Sequence, residues 1–335
     1  MKSSVKNVIK YILFSTLGFG ILYMAFKDVD LKELWQEMLS VNLWWVVLSL
    51  FFAFLGYFSR AMRWKILITP LGYNPSLKHT FFSLMLGYFV NLALPRAGEF
   101  ARCAALQRSE HVPVGKLFGT VIIERVVDLC MLILLGVVVL CMKIDLFEPF
   151  IQKHVFTAFT HKITAIPLLY LIGAVVVIVG FVVLLLISRN TLKVSRKIIN
   201  FAKGIIDGLK SIYRMKNRTA FVFHTLFIWF MYWIMTYVVF FAVEATEGLD
   251  MIDGLFILIV GGLGMSAPVQ SGMGVFHYIV AQALMIYGLD YSEGLLYATV
   301  SHESQMIFVI GMGLLSMWIF SKVKMTNEEY STDTQ

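Results

Sequence analysis

The sequence predicts an all-α fold, a polytopic helical membrane protein with about six spanning helices and two re-entrant hairpins in an inverted-topology repeat. Composition is the first reason. The chain is 59% hydrophobic and 15% charged, with a mean hydropathy of +0.79, whereas a soluble domain carries about 25% charged residues. The second is block structure: several nearly uncharged runs approach the roughly 20 residues that a helix needs to cross a bilayer. A membrane β-barrel would instead show short alternating segments. The third is the distribution of charge between the runs, which fixes their direction and forces two of them to turn back. All of residues 1–335 form one membrane domain in this reading.

Apolar runs lie at 11–26, 41–59, 80–95, 117–142, 163–188, 219–243, 254–289 and 295–320. Lys2, Lys6 and Lys10 precede the first run with no acid, so the N-terminus is cytoplasmic. No small-x-small cleavage site follows, which favours a retained helix over a signal peptide. Residues 27–40 carry Asp28, Asp30, Glu33 and Glu37 against Lys27 and Lys32 and suit the outside. Residues 60–78 return inside with Arg60, Arg63, Lys65 and Lys78 and no acid. Segment 189–218 holds nine Lys/Arg against Asp207 alone, the pattern of a cytoplasmic stretch beside anionic headgroups rather than of a nucleic-acid surface. The net charge of +7 is therefore explained without nucleic acid.

Working back from that segment, 163–188 spans, 143–162 is outside, and 96–116 is inside. Both ends of 80–95 then share the cytoplasmic face, so it is re-entrant. Acids flank 254–289 on both sides (Glu244, Glu247, Asp250 and Asp253 before it, Asp290 and Glu293 after), so it is a hairpin from the outside, turning near Pro268 to Gly274. The C-terminus ends inside with Lys322 and Lys324. A shift of 178 residues lays 41–59 on 219–237, Glu99 on His277 and Glu124 on His302. That shift divides the chain into half 1 at about 41–142, a connecting helix and basic segment at 163–218, and half 2 at about 219–320. Inverted repeats of this kind place a site near the midplane.

The polar residues inside the runs are the candidate site. Pro95 and Gly98 break a helix, and at membrane depth the freed backbone groups must line protein or a wet cavity. Arg96 and Arg102 beside such a break suit phosphate oxygens, and Asn91 adds a polar group one turn earlier. Glu99 and Arg102, three residues apart, could pair on one helical face, and a purely structural interfacial ion pair is the alternative. Glu124 and Asp128 repel at i, i+4 and call for a cation, from Arg125 or from the 96–102 segment. A headgroup or ion site and a packing salt-bridge cluster both answer that pattern, since charges at mid-membrane are costly. His277, His302 and Glu303 are the counterpart in the second half, to bind phosphate, carry a proton or simply pack. No HxxxH or HxxE spacing occurs among them, so no metal is expected. Pro268, Gly272 and Gly274 are breaker and turn residues. Cys103, Cys130 and Cys141 read as small apolar residues. Neither a nucleophile–base constellation nor a nucleotide-binding fingerprint is present, and no cofactor is expected.

The run Asn91–Pro95–Gly98–Glu99, the motif Glu124-Arg125-x-x-Asp128 and the stretch Pro268…Gly272-x-Gly274 together resemble the transmembrane region of bacterial lysylphosphatidylglycerol synthases. That region also forms a stand-alone family of flippase-like integral membrane proteins. The resemblance covers roughly 10–320, and at 335 residues it implies the form without the soluble aminoacyltransferase domain, hence not an enzyme. Where the family's second motif usually continues to an acid, this chain has His277. The expected function is translocation of an anionic lipid or lipid-linked headgroup in the bacterial inner membrane, with both termini cytoplasmic. A membrane-embedded headgroup transferase, with Glu99 or Glu124 as base, is the enzyme alternative. A scaffold recruiting a partner through 189–218 is the third reading. Membrane lipids are the expected partners, and the sequence leaves room for a homo-oligomer.

Overall fold

A computed structural model describes residues 16–143 and 216–323 of the chain. The span expected at 163–188 and nearly all of the basic segment lie outside them. Ten α-helices and no strands occur among the described residues. They are α1 (Thr16–Phe26), α2 (Leu31–Ser40), α3 (Leu43–Ile68), α4 (Leu77–Ala93), α5 (Gly98–Glu110), α6 (Val114–Met142), α7 (Arg218–Val238), α8 (Met251–Met265), α9 (Val275–Met285) and α10 (Tyr291–Ser321). Four are long and apolar enough to cross a bilayer: α3 with its 3₁₀ extension to Leu71, α6, α7 with its extension to Ala242, and α10.

Local chemistry sets the ends. Asp30 caps α2 through the Lys32 and Glu33 amides, and Ser76 caps α4 through the His79 amide. Reciprocal capping boxes start α8 (Asp250 with Asp253) and α10 (Asp290 with Glu293). Acids that read as loop charges in the sequence are thus also helix starts. The outer surface is greasy: Phe51, Ile133, Phe223, Ile307, Leu314 and Trp318 are all more than half exposed. Large apolar side chains on several neighbouring helices would be untenable in water and are natural against lipid tails.

α4 and α5 form a hairpin. At its open end Glu110 meets Ser76 and His79, and at its tip the Asn91 Oδ1 accepts the Gly98 amide at 2.8 Å. Between these, Gly87 and Gly98 bring the two backbones into contact: a Cβ on Gly98 would lie 2.0 Å from the Gly87 carbonyl oxygen. No residue but glycine fits there. α8 and α9 form a second hairpin, with Phe256 on Tyr287 at the open end and Gly264 on Phe276 near the tip. The arms are short. At 1.5 Å per residue, α5 and α9 reach about 20 and 16 Å, against a hydrocarbon core of about 30 Å.

The tips meet, for the Arg96 Nη2 donates to the Ser266 carbonyl at 3.4 Å. Backbone strain concentrates there, with left-handed φ at Arg96 (63°), Ser271 (44°), Gly272 (73°) and Gly274 (78°). α1 lies over the second break, where Gly274 touches Gly18 and Leu22.

Three long pairings organise the whole, each antiparallel. On α3 and α7, Ser49 reaches Met235 while Ser59 reaches His224. Between α4 and α10, His79 lies on Phe320 and Phe89 on Gly313. Between α6 and α8, Leu132 lies on Gly262 and Lys143 binds Asp250 and Asp253.

Two sequence expectations are corrected. The run 41–59 continues as helix to Ile68, because Ala61, Met62, Trp64, Ile66 and Leu67 keep the apolar pattern going past Arg60 and Arg63. Those arginines belong to the helix and are not loop charges. The first hairpin is likewise not confined to 80–95: its returning arm is the helix α5, within the segment 96–116 that the charge pattern assigns to the cytoplasmic side because of Arg96, Arg102 and Arg108.

Candidate functional site

Trp64, Ile68, Cys103, Leu106, Val112, Leu117 and Val121 form a core that joins the end of α3 to α5 and α6. Charge is set into it. Arg63 is fully buried; its Nη2 lies 2.7 Å from the Asp128 Oδ1 and 3.7 Å from the Glu124 Oε1. The Arg60 guanidinium holds the other oxygen of Asp128 and donates at 3.3 Å to the Tyr232 hydroxyl. Arg102, 2% exposed, donates at 2.7 Å to the Glu124 Oε2, and its guanidinium lies 4.6 Å over the Trp64 ring. The Trp64 indole is itself held by Thr120 at 2.8 Å.

Three arginines thus face two carboxylates, a surplus of one positive charge. Several of their N–H groups, the Arg60 Nε, Arg63 Nε, Arg102 Nε and Arg102 Nη1, are buried without a hydrogen-bond acceptor. Buried polar groups are normally satisfied, and the Glu124 Oε1 in the same cluster is likewise left without a donor.

The expected pairings are partly redistributed. Glu124 takes its cation from the 96–102 segment, as one expected option had it, and that cation is Arg102. Arg125 does not neutralise Glu124 or Asp128; it points outward and binds Glu99 at 2.8 Å. The expected Glu99–Arg102 pair does not form, because each finds its partner on α6. Successive residues Glu124 and Arg125 stand about 100° apart on a helix, so they cannot serve one cluster. Asn91 is engaged at the hairpin tip, and Arg96 is exposed there. Pro95 ends the first arm of its hairpin, while Pro268 is exposed in the second break. Arg60 and Arg63 were missed. Their signal was the i, i+3 spacing within a continuing apolar pattern, matched to the i, i+4 acids that needed them.

His277, His302 and Glu303 come together between α9 and α10, the rings of the two histidines 4.9 Å apart. The Glu303 Oε1 lies 3.3 Å from the His277 Nε2 and 3.1 Å from the His302 Nδ1. The His302 Nε2 faces the Ser271 carbonyl at 2.9 Å.

Half-buried tyrosines lie between the clusters. Tyr232, bound by Arg60, packs on Tyr57, which also packs on Tyr88. The Tyr57 hydroxyl donates to the Gln305 Oε1 at 3.4 Å, two residues beyond Glu303.

Apolar spanning helices around a charged interior, with two broken hairpins meeting at their tips, define a polytopic helical membrane protein. More particularly, the chain belongs to the family described as the lysylphosphatidylglycerol synthase TM region, whose sequence profile matches residues 7–313. Two archaeal relatives from Methanocaldococcus jannaschii are similar in part. The UPF0104 membrane protein MJ1078 is 26% identical over 227 residues, covering 66% of this chain and 91% of the relative. The UPF0104 membrane protein MJ1595 is 29% identical over 130 residues, covering 38% of this chain and only 36% of the relative's length. No solved structure matches the chain.

Proposed function

We propose that the protein translocates an anionic lipid between membrane leaflets, gripping the headgroup phosphate in the interior while the tail stays in lipid. The observation that carries this reading is the surplus positive charge of Arg60, Arg63 and Arg102 over Glu124 and Asp128, with guanidinium donors left unsatisfied. An unbalanced charge held among apolar helices costs several kcal/mol. A phosphate relieves that cost, and guanidinium edges fit its oxygens two at a time. The tyrosines between the arginine cluster and the Glu303 cluster give a headgroup polar partners along a path.

The helix pairing supports an inverted repeat. Shifting by 178 residues carries α3 onto α7, α4 onto α8, α5 onto α9 and α6 onto α10. It also exchanges the α4–α10 contact with the α8–α6 contact, and the equivalent helices α3 and α7 run antiparallel. Halves of opposite orientation, each with a hairpin whose returning arm is too short to cross, are the build of transporters with a midplane site. On this reading the hairpins are re-entrant, Lys65 and Lys78 mark the cytoplasmic side, and the protein resides in the cell membrane.

The test is a leaflet assay on the purified chain in vesicles, with a fluorescent phosphatidylglycerol as probe and a quencher outside. The protein should equalise the probe between leaflets without changing its mass. Arg102→Lys keeps the bond to Glu124 but removes the spare donors, and should slow exchange about tenfold, equivalent to about 1.4 kcal/mol. Arg96→Ala should impair exchange without disturbing insertion. Exchange no faster than in empty vesicles would sink the proposal. A new headgroup adduct in mass spectrometry would favour the transferase reading instead.

A further inference from the structure

We propose that His277, His302 and Glu303 hold a divalent transition-metal ion, zinc by the chemistry of the donors, with one coordination position open. Each residue offers one ligand atom, and these atoms all lie within 4.8 Å of one another. Two imidazoles and a carboxylate form a common three-ligand zinc set. Donors about 2.05 Å from a tetrahedral zinc are about 3.3 Å from each other. The separations of the Glu303 Oε1 from the His302 Nδ1 and the His277 Nε2 are 3.1 and 3.3 Å.

Hydrogen bonding argues the same way. A backbone carbonyl only accepts, so the His302 Nε2 facing Ser271 carries the proton. The His302 Nδ1 lies on the opposite side of the ring, 3.1 Å from the Glu303 Oε1, and a cation among the three atoms would draw both as ligands. A carbonyl holding the far nitrogen of an imidazole is the usual way a ligating histidine is oriented. That carbonyl is delivered by a strained turn, with Ser271 and Gly272 both left-handed. Strain of this kind persists where surrounding structure or function demands it. Phe26 and Phe276 wall the histidines, which are 1% and 4% exposed, while the Glu303 side chain is 41% exposed. The fourth position therefore opens on the side of Glu303, where water or a ligand oxygen can enter. The spacing rule that disfavoured a metal assumes ligands on one helix; here they come from two helices, with a carboxylate adjacent to its histidine.

The measurement is metal content of the full chain, purified without a polyhistidine tag from zinc-replete cells and freed of loosely bound ions. One equivalent of zinc per chain is expected. Replacement by cobalt(II) should give the intense visible bands of a four-coordinate site. His277→Asn and Glu303→Gln should each lower zinc affinity at least tenfold; Glu303→Gln, at a part-exposed position, decides alone if the first variant fails to fold. A folded wild-type chain with well under one equivalent overturns the proposal, as does full zinc retention by Glu303→Gln. Metal content is read apart from lipid exchange, so this result stands or falls independently of transport.

Discussion

Arg63 and Arg125 lie on helices that meet at the same cluster, yet their environments differ enough to predict opposite consequences. Arg63 and its partner Glu124 are completely buried, and Arg63 also binds Asp128. Removing an acid from this network widens its surplus of buried positive charge at a cost of about 3–5 kcal/mol. Removing Arg63 balances the charge but takes a donor from the Asp128 Oδ1 and the Thr225 hydroxyl and leaves a void where a fully buried side chain packed. Arg63→Ala should therefore lower the unfolding temperature sharply or abolish accumulation of the protein, and Asp128→Asn should do the same by stranding Arg60 and Arg63. Arg125 is 45% exposed and its partner Glu99 21%, so Arg125→Ala should cost under about 1 kcal/mol. Thermal unfolding in detergent compares the three variants directly. A loss from Arg125→Ala equal to that from Arg63→Ala would mean that the outward pair, not the buried one, holds the helices. The arginine pair on α3 was the part of the site least legible in the sequence. Positive charges at the end of an apolar run serve equally as orientation signals and as buried counter-ions. Only the three-dimensional meeting with α6 separates the two.

At the level of elements, the open end of the first hairpin depends on one carboxylate. Burial alone would raise the pKa of Glu110, but hydrogen bonds from Ser76 and His79 outweigh it and hold the carboxyl below its ordinary value. A carboxyl with a depressed folded-state pKa stabilises fully above its unfolded value, about 4.3, and loses that contribution as pH falls through the folded value. The difference in unfolding temperature between wild type and Glu110→Gln should therefore persist at neutral pH and shrink toward zero as pH drops below about 4. A difference that grows on acidification would show that Glu110 is not ionised in the folded chain. The two hairpins were unequally visible in the sequence. The second was bracketed by acids and broken by Pro268, and α8 from its fourth residue, its break and α9 fall inside the expected range. The first lost its returning arm because α5 buries Arg102 beside Cys103, Ala105 and Leu106, a face that looks polar until Glu124 is seen opposite. The four long helices were read to within a few residues, apart from the continuation of α3.

For the molecule as a whole, the proposed inverted repeat makes a geometric demand that single helices do not. If α4–α5 and α8–α9 enter the membrane from opposite faces, the open ends of the two hairpins must sit on opposite sides. Asn74 and Arg108 lie near the open end of the first hairpin. Gly248, just before α8, and Ser292, at the start of α10, flank the second. Cysteines introduced singly as Asn74→Cys, Arg108→Cys, Gly248→Cys and Ser292→Cys report their side through an impermeant thiol reagent applied to intact cells. Cys130 and Cys141 are first replaced by Ala, while Cys103, fully buried, can remain. Gly248→Cys and Ser292→Cys should label from outside, and Asn74→Cys and Arg108→Cys only after the membrane is opened. The acidic stretch 244–253 and the bases Lys65 and Lys78 give that direction. The pairing within each set matters more than its sign. Reversal of all four would invert the protein in the membrane and leave the repeat intact. Labelling of Asn74→Cys and Arg108→Cys from different sides would instead make α4 a full crossing, at about 25 Å a short one. The Arg60–Arg63–Arg102 cluster would then no longer lie beside a re-entrant tip, and the route proposed for the headgroup would lose its midplane site.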